Sequence, residues 1–526
     1  MNRRILVSDS IAEDGIAILR PKATVDVKTD LSQEGLIAII GDYDALVVRS
    51  QTQVTKAIIE AGKKLQVIGR AGVGVDNIDV DAATQQGVIV VNAPLGNTVS
   101  TAEHTVALMM AMARNIPQAH AVLKSGIWRR NEFTGIELRN KTLGIIGLGK
   151  VGTEVARRAK GLEMRVIAYD PFVSSEHAQL LGMEMVSFED VLREADFITV
   201  HTPLTPSTKA LIGEKELEKA KPSVRIINVA RGGIIDEEAL YRAIEKGRVA
   251  GAAIDCFSKE PMEDSILFSS DRIIVTPHLG ASTAEAQTGV AVDVAEQILA
   301  VLDGRPARYA VNLPFVAPET MSMVGPFLEV ANYVGRLASQ LAEGQWNNVS
   351  IRYEGEIANY DTNVPKAAII GGLLESMSEE RVNLVNANLV AASRGLKIEE
   401  QKRPYCENYS NLISLEVTTS AGKTLVAGTL MAKATHIVRI NDYWVDLVPN
   451  GGYWLFSDHR DRPGLISAVS AVTGNADINI SSMLVGRLQP RGQALMVLGL
   501  DEPLLDEHLR QILTIPDVYT ARLIRL

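Results

Sequence analysis

Through the first 300 residues, short apolar runs alternate with longer stretches whose apolar positions recur at helical spacing, and each run stops at a glycine, proline or polar residue. Four runs, at 5–7, 45–48, 67–69 and 88–91, predict strands with helical segments between them. A run without polar alternation fits a parallel strand covered on both faces, so residues 1–97 read as one α/β layer. Five further strands are predicted at 142–146, 165–169, 197–201, 225–230 and 272–276. Helices are predicted at 101–114, 151–160 and 284–302. Glycine and prolines around 303–318 predict a domain boundary. Residues 319–450 mix helices and strands and carry no chemical motif. From Tyr453 a compact strand–helix–strand unit begins, its helix opened by Asp461-Arg462-Pro463-Gly464 with the proline in the first turn.

The strand ends carry chemistry. The strand at 142–146 runs into Gly147-Leu-Gly149-Lys-Val-Gly152 and a helix. Gly147 suits a tight turn, Gly149 a close backbone approach to a pyrophosphate, and Gly152 close helix–strand packing. The N-terminus of the following helix turns free N–H groups and a positive dipole end toward phosphates. Asp170 closes the next strand, 23 residues beyond Gly147, where a carboxylate accepts from ribose hydroxyls and repels a 2′-phosphate. NAD is therefore the expected cofactor, ahead of NADP. The remaining strands end on Thr202, on Arg231, and on Pro277 and His278. Ligands bind beyond the carboxyl ends of strands in an open parallel sheet, so this row describes an active-site rim. The glycines of 69–76 do not fit the same motif, and no second dinucleotide loop is expected there.

Composition narrows the class. The 526 residues are 46% hydrophobic and 22% charged, ordinary for globular proteins, and suit three or four domains. A net charge of −10 argues against a general nucleic-acid or membrane-surface binder. Only Cys256 and Cys406 are present, with no CxxC or Cys/His cluster, so neither a disulfide framework nor a metal site is expected. The N-terminus lacks a signal-peptide pattern and no apolar run reaches membrane length, which predicts a cytoplasmic protein.

Three groups near the rim suit hydride transfer between a nicotinamide and a carbonyl or hydroxyl carbon. His278 can pass a proton to or from a carbonyl or hydroxyl oxygen. Glu260, paired with the other ring nitrogen, would fix the tautomer and favour the imidazolium. Arg231 offers a planar fork of donors matched to a carboxylate.

The segments 147–152, 228–236, 255–261 and 277–280 resemble the signatures of the D-isomer-specific 2-hydroxyacid dehydrogenases. Residues 48–50, 69–79, 92–105 and the tail extend the likeness to the long phosphoglycerate-oxidising branch over nearly the whole chain. The resemblance implies a Rossmann-like NAD-binding domain (98–282) inserted in a flavodoxin-like substrate domain (1–97 and 283–312). An α+β intervening domain (319–450) and a C-terminal ACT domain (453–526), a βαββαβ module, would follow. It implies Arg231, Glu260 and His278 as the catalytic set. Cofactor contacts would fall on Val73, Gly147, Gly149, Lys150, Val151, Gly152, Asp170, Thr202, Val229, Ala230, Arg231, Asp255, His278, Leu279, Gly280 and Ala281.

A phosphorylated hydroxy acid carries two anionic groups, and its pocket needs more cationic donors than a lactate or glycerate pocket. Arg49 and Arg70 end strand candidates, and Arg130 follows the helix leading into the second layer. Matching positions in the family imply Arg49, Arg70 and Arg130 as substrate contacts, with Asn97 near the carboxylate. In the tail, His459, Asp461 and Asn479 match amino-acid-binding positions, with L-serine the implied effector, although relatives vary at the position of His459. In the intervening domain Lys433 and Arg439 are anion candidates. Cys256 reads as a packing substitution.

The expected activity is NAD-dependent oxidation of 3-phosphoglycerate to 3-phosphohydroxypyruvate, opening serine synthesis, in a homo-oligomer. A dehydrogenase for glycerate, glyoxylate or 2-hydroxyglutarate is the same-fold alternative. A NAD(H)-sensing corepressor is the alternative of another class.

Overall fold

A computed structural model describes all residues except 1–2, 181, 314–317, 376 and 379–380, so part of the expected 303–318 boundary lies outside the described residues. The chain divides into two compact units: Met1–Gln53, Val67–Asn77 and Val91–Tyr309 in one, and Val54–Gln66, Ile78–Val90 and Ala310–Leu526 in the other.

Strands β1 (Arg4–Val7), β2 (Thr24–Val27), β3 (Ala45–Val48), β4 (Val67–Arg70) and β5 (Ile89–Asn92) form a sheet of order β2-β1-β3-β4-β5. The pairs β1–β2, β1–β3 and β3–β4 are parallel, the flavodoxin-like arrangement. β2 was not predicted because TVDV, never fully buried, lacks an apolar run. The helix Ala284–Leu302 returns to this layer: a Cβ on Gly69 would stand 2.5 Å from Val294, and one on Gly15 2.7 Å from Ala291. Glycine at both positions lets the helix sit directly on the sheet and on the helix Glu13–Leu19.

The second sheet comprises β6 (Thr142–Ile146), β7 (Arg165–Tyr169), β8 (Glu184–Met185), β9 (Phe197–Val200), β10 (Arg225–Asn228), β11 (Gly251–Ile254) and β12 (Ile273–Val275). Its order, β12-β11-β10-β9-β6-β7-β8, is wholly parallel. The chain reverses direction across the sheet between β6 and β9, the switch point where such folds bind nucleotides. β8 and β11 interrupt the predicted row of five strands. β8 is a two-residue edge, and Gly-Ala-Ala-Ile in β11 lacks the bulk that marks a strand. β9, β10 and β12 end before the predicted limits because residues 201–202, 229–231 and 276–278 leave the ladder to form the rim. The helix expected at 101–114 begins earlier, at Thr98, with Asn97 as N-cap.

In the second unit, β13 (Trp346–Gly355), β14 (Ile398–Arg403), β15 (Asn411–Thr419), β16 (Lys423–Met431), β17 (Ala434–Ile440) and β18 (Tyr443–Leu447) form a mixed sheet. Buried Val330, Val334 and Leu337 of the helix Leu328–Leu341 pack its core. The last sheet, β20-β21-β19-β22, is built from β19 (Tyr453–Arg460), β20 (Ile480–Arg487), β21 (Gln493–Leu500) and β22 (Arg522–Arg525). With helices Leu465–Asn475 and Asp506–Leu513 it is a βαββαβ unit. Pro463 is not in the first helical turn as expected. The helix starts at Leu465, and Gly464 takes the N-cap at φ 82°, a left-handed geometry glycine adopts without strain.

Candidate active site

At the switch point Gly147 turns at φ 95°, and a Cβ there would stand 2.6 Å from the His201 carbonyl oxygen. A Cβ on Gly152 would stand 2.2 Å from the Gly147 oxygen, so this glycine seats the helix Lys150–Gly161 on the turn. Gly149 has nothing within 4 Å of its added Cβ and leaves the approach open. As N-cap it offers no side chain to the first N–H groups of the helix, which Lys150 and Val151 begin. Asp170 accepts from the backbone N–H of Leu148 at 2.8 Å and from that of Phe172 at 2.8 Å, tying the glycine turn to the end of β7. Thr202 Oγ1 is shielded and has no hydrogen-bond partner among the described residues. An open glycine face, uncapped helical N–H groups, a strand-end carboxylate and an orphaned hydroxyl at one switch point fit a dinucleotide.

The chemistry-bearing pair lies on the same rim. His278 Nδ1 and Glu260 Oε2 are 2.6 Å apart, and Glu260 Oε1 accepts from Phe257 N–H at 2.9 Å. Burial raises the Glu260 carboxyl, but the bonds from His278 and Phe257 more than offset it and hold the group below the ordinary carboxylate range. His278 adopts a left-handed backbone, φ 54°, with its N–H on the Asp255 carbonyl at 2.9 Å. Such a conformation is unfavourable for a residue with a Cβ and persists only where surroundings impose it. They are visible here. The wholly buried Asp255 carboxylate accepts from Leu279 N–H at 2.8 Å, Gly280 N–H at 2.9 Å and Thr276 Oγ1 at 2.5 Å. Asp255 thus grips the turn carrying His278 from below, while Gly280 packs against Val229. Ala230 and Ala281 are half-buried on the same rim, Leu279 is exposed, and Val73 has its carbonyl bonded by Asn92 Nδ2. A cavity of about 740 Å³ opens beside the pair, lined by Ser50, Gln53, Phe257, Glu260, Phe268 and His278 among others.

Arg231 is fixed by its Nε on Asp76 Oδ2 at 3.2 Å and its Nη1 on the Ala230 carbonyl at 2.8 Å. Arg70 stands close enough for the charges of Arg231 and Arg49 to act on it. Burial first, and then Arg231, push its guanidinium down to about 10. Its Nε is shielded with no hydrogen-bond partner among the described residues. The glycines of 69–76 now have a reason: a Cβ on Gly72 would stand 1.8 Å from Arg70 Nη1, and one on Gly74 2.0 Å from Arg231 Nη2. They clear space for two guanidiniums. Arg130 stands exposed on the short turn Arg130–Phe133. Asn97 caps a helix through its backbone, with no side-chain cap bond.

One residue of the network around Asp255 was missed. His104, on the helix Thr98–Ala113, places Nε2 3.2 Å from both Asp255 Oδ1 and Thr276 Oγ1; a lone histidine on a mostly apolar helix was its only signal. Cys256, read as a packing substitution, is buried; its thiol, which burial and then Asp255 and Glu260 keep protonated, lies in a cluster with Glu260 and His278 that no sequence spacing announced.

In the C-terminal unit, buried His459 bonds the Ser457 carbonyl at 3.1 Å, Asp461 meets Arg487 at 3.4 Å, and Asn479 donates to Asp501 at 2.7 Å. The three are not bonded to one another. Arg439 lies over the Trp444 ring at 5.5 Å, and Lys433 is exposed on the turn between β16 and β17. No helix among the described residues is long and apolar enough to cross a membrane.

Residues 106–280 match the NAD-binding domain of the D-isomer specific 2-hydroxyacid dehydrogenases, and residues 323–441 match the D-3-phosphoglycerate dehydrogenase intervening domain. The chain is similar to D-3-phosphoglycerate dehydrogenase of Synechocystis sp., 47% identical over 99% of this chain and 95% of that one. The Archaeoglobus fulgidus enzyme of that name is 45% identical over 99% and 100%, and the Bacillus subtilis one 42% over 99% and 99%. Among solved structures, a glyoxylate reductase from Paecilomyes thermophila matches with TM-score 0.54 and 31% identity, covering 59% of this chain and 98% of its own. A D-lactate dehydrogenase from Aquifex aeolicus, complexed with NAD and lactic acid, matches with TM-score 0.51 and 25% identity over 57% and 96%. With full-length likeness at these identities, the chain belongs to the D-3-phosphoglycerate dehydrogenases of the D-isomer specific 2-hydroxyacid dehydrogenase family.

Proposed function

We infer that this protein catalyses NAD-dependent oxidation of 3-phospho-D-glycerate to 3-phosphohydroxypyruvate, the entry step of serine synthesis. The observation that carries the substrate choice is that Arg70, at the end of β4, lies within reach of the charges of Arg49, at the end of β3, and of Arg231, which follows β10 on the rim bearing the His278–Glu260 pair. One guanidinium fork suffices for a carboxylate and a carbonyl oxygen; two more arginines, one of them crowded by like charge, suit a second anionic group.

NAD, when bound, supplies the hydride acceptor. His278 Nε2 takes the hydroxyl proton as the C2–H bond breaks, and Glu260 stabilises the imidazolium through Nδ1. Arg231 holds the carboxylate and the developing carbonyl oxygen, with Asp76 fixing its plane. Arg49 and Arg70 take the phosphate, and Asn97 and Arg130 complete the substrate contacts. Gly147, Gly149, Lys150, Val151 and Gly152 hold the pyrophosphate, Asp170 the ribose, and Val73, Thr202, Val229, Ala230, Asp255 and residues 278–281 the nicotinamide half. The subdomain limits that go with this reading are 1–97 with 283–312, 98–282, 319–450 and 453–526.

The proposal extends to a cytoplasmic homo-oligomer whose ACT domain takes L-serine at His459, Asp461 and Asn479. Its support is two unpaired cysteines and a β20 that leaves Met483 and Val485 exposed. Sedimentation and serine titration of activity test these parts. The catalytic assignment is tested by substrate preference in the NADH-oxidising direction, with the phosphorylated oxoacid set against its unphosphorylated counterparts.

A further inference from the structure

Cys256 has no task in the chemistry above, yet the fold sets it against the pair that carries it. One ligand atom from each of Cys256, Glu260 and His278 lies within 4.8 Å of the other two. The partly exposed Glu260 and His278 line the cavity, while Cys256 is buried beneath the rim with its thiol on the Ala230 carbonyl at 3.6 Å, a bond that an ion entering past Glu260 and His278 would replace. Thiolate, carboxylate and imidazole are the donors that hold Zn²⁺. Donors about 2.0–2.3 Å from a tetrahedral ion stand roughly 3.3–3.8 Å apart. The 2.6 Å His278–Glu260 pair must therefore open by somewhat under about 1 Å, while any wider separation, none above 4.8 Å, closes by up to about 1 Å. The charges facing Cys256 are Asp255, Glu260 and Arg231, two negative against one positive.

We propose that Cys256, Glu260 and His278 form an inhibitory site for a thiophilic divalent cation, Zn²⁺ above all, one ion per chain. Binding forms metal–sulfur, metal–oxygen and metal–nitrogen bonds. The thiol proton leaves to solvent, and the imidazole proton moves from Nδ1 to Nε2. His278 then carries a hydrogen on Nε2 and cannot take the hydroxyl proton. Giving that hydrogen up in the reverse direction would leave an imidazolate, so both directions stop. Inhibition rests on the catalytic reading of His278; binding of the ion does not.

The full-length protein is titrated with Cd²⁺ while thiolate-to-cadmium charge-transfer absorption is followed, and separately with buffered Zn²⁺ while NADH oxidation is followed, with Mg²⁺ as the hard-cation control. The band and the inhibition are expected in wild type and in Cys406→Ser, absent with Mg²⁺, and reversed by EDTA. Cys256→Ala and Cys256→Ser should lose the band and need roughly tenfold or more Zn²⁺ for equal inhibition. Absence of the band in wild type, its loss in Cys406→Ser, or equal Zn²⁺ inhibition in the Cys256 variants would overturn the proposal. Should the protein oxidise no NADH with any 2-oxoacid, the cadmium band still decides the site, and the failure falls on the activity.

Discussion

His278 Nδ1 and Glu260 Oε2 meet at 2.6 Å, and the Glu260 carboxylate is anchored on its other oxygen by Phe257 N–H. The ring is thereby held with Nε2 free to exchange a proton. His278→Gln should lower kcat by about 10²–10⁴-fold with NADH binding retained, checked by steady-state kinetics and NADH fluorescence titration. Glu260→Gln keeps an acceptor without its charge and should cost less, mainly in kcat.

The same pair sets an acid limit on stability. A carboxyl held below its unfolded value, about 4.3 for glutamate, stabilises the fold above that value and loses the contribution as pH falls through the lower folded one. Melting of wild type and Glu260→Gln from pH 7 to pH 3 should therefore converge at the acid end. A gap that widens on acidification would contradict the assignment.

Arg70 is crowded by like charge and stripped of water, so an anion placed beside it relieves an existing cost. Phosphate and sulfate should raise the melting temperature of wild type more than that of Arg70→Ala, by thermal shift at matched ionic strength. A charge-assisted bond contributes about 1.5–3 kcal/mol, so Arg70→Ala should raise KM for phosphohydroxypyruvate by roughly 10–100-fold and alter hydroxypyruvate turnover far less.

Much of the catalytic layer was legible because its signals are local. Glycine spacing marks the turn after β6, strand-end polar residues mark the rim, and the helix 284–302 matched at both ends. What escaped depends on distant approach. β11 is built of small residues because it is buried among neighbours, and its Asp255 was readable only by resemblance. The glycines at 72 and 74 look like a failed nucleotide loop until Arg70 and Arg231 are seen filling the space. His104 becomes meaningful only when Asp255, 151 residues away, arrives beside it.

That contact makes a separate prediction. His104 and Asp255 belong to one network gripping the 278–280 turn, so their substitutions should not add. His104→Ala and Asp255→Asn should each raise KM for NADH, and the double variant should fall short of the sum by about 0.5–3 kcal/mol in a double-mutant cycle. Simple additivity would place His104 outside the grip.

Asp170 offers the cofactor test. Asp170→Ala removes the carboxylate proposed to repel a 2′-phosphate and also one tie on the glycine turn. NADH use should fall while the NADH-over-NADPH preference drops by roughly tenfold or more. An unchanged preference would move cofactor selection elsewhere.

The most direct measurement compares kcat/KM for 3-phosphohydroxypyruvate with that for hydroxypyruvate, glyoxylate and 2-oxoglutarate in the NADH-oxidising direction. Each is run for wild type, Arg70→Ala and His278→Gln. The account predicts a strong wild-type preference for the phosphorylated substrate, selectively eroded in Arg70→Ala, and uniform loss in His278→Gln. Equal or better turnover of the unphosphorylated acids by wild type would contradict it.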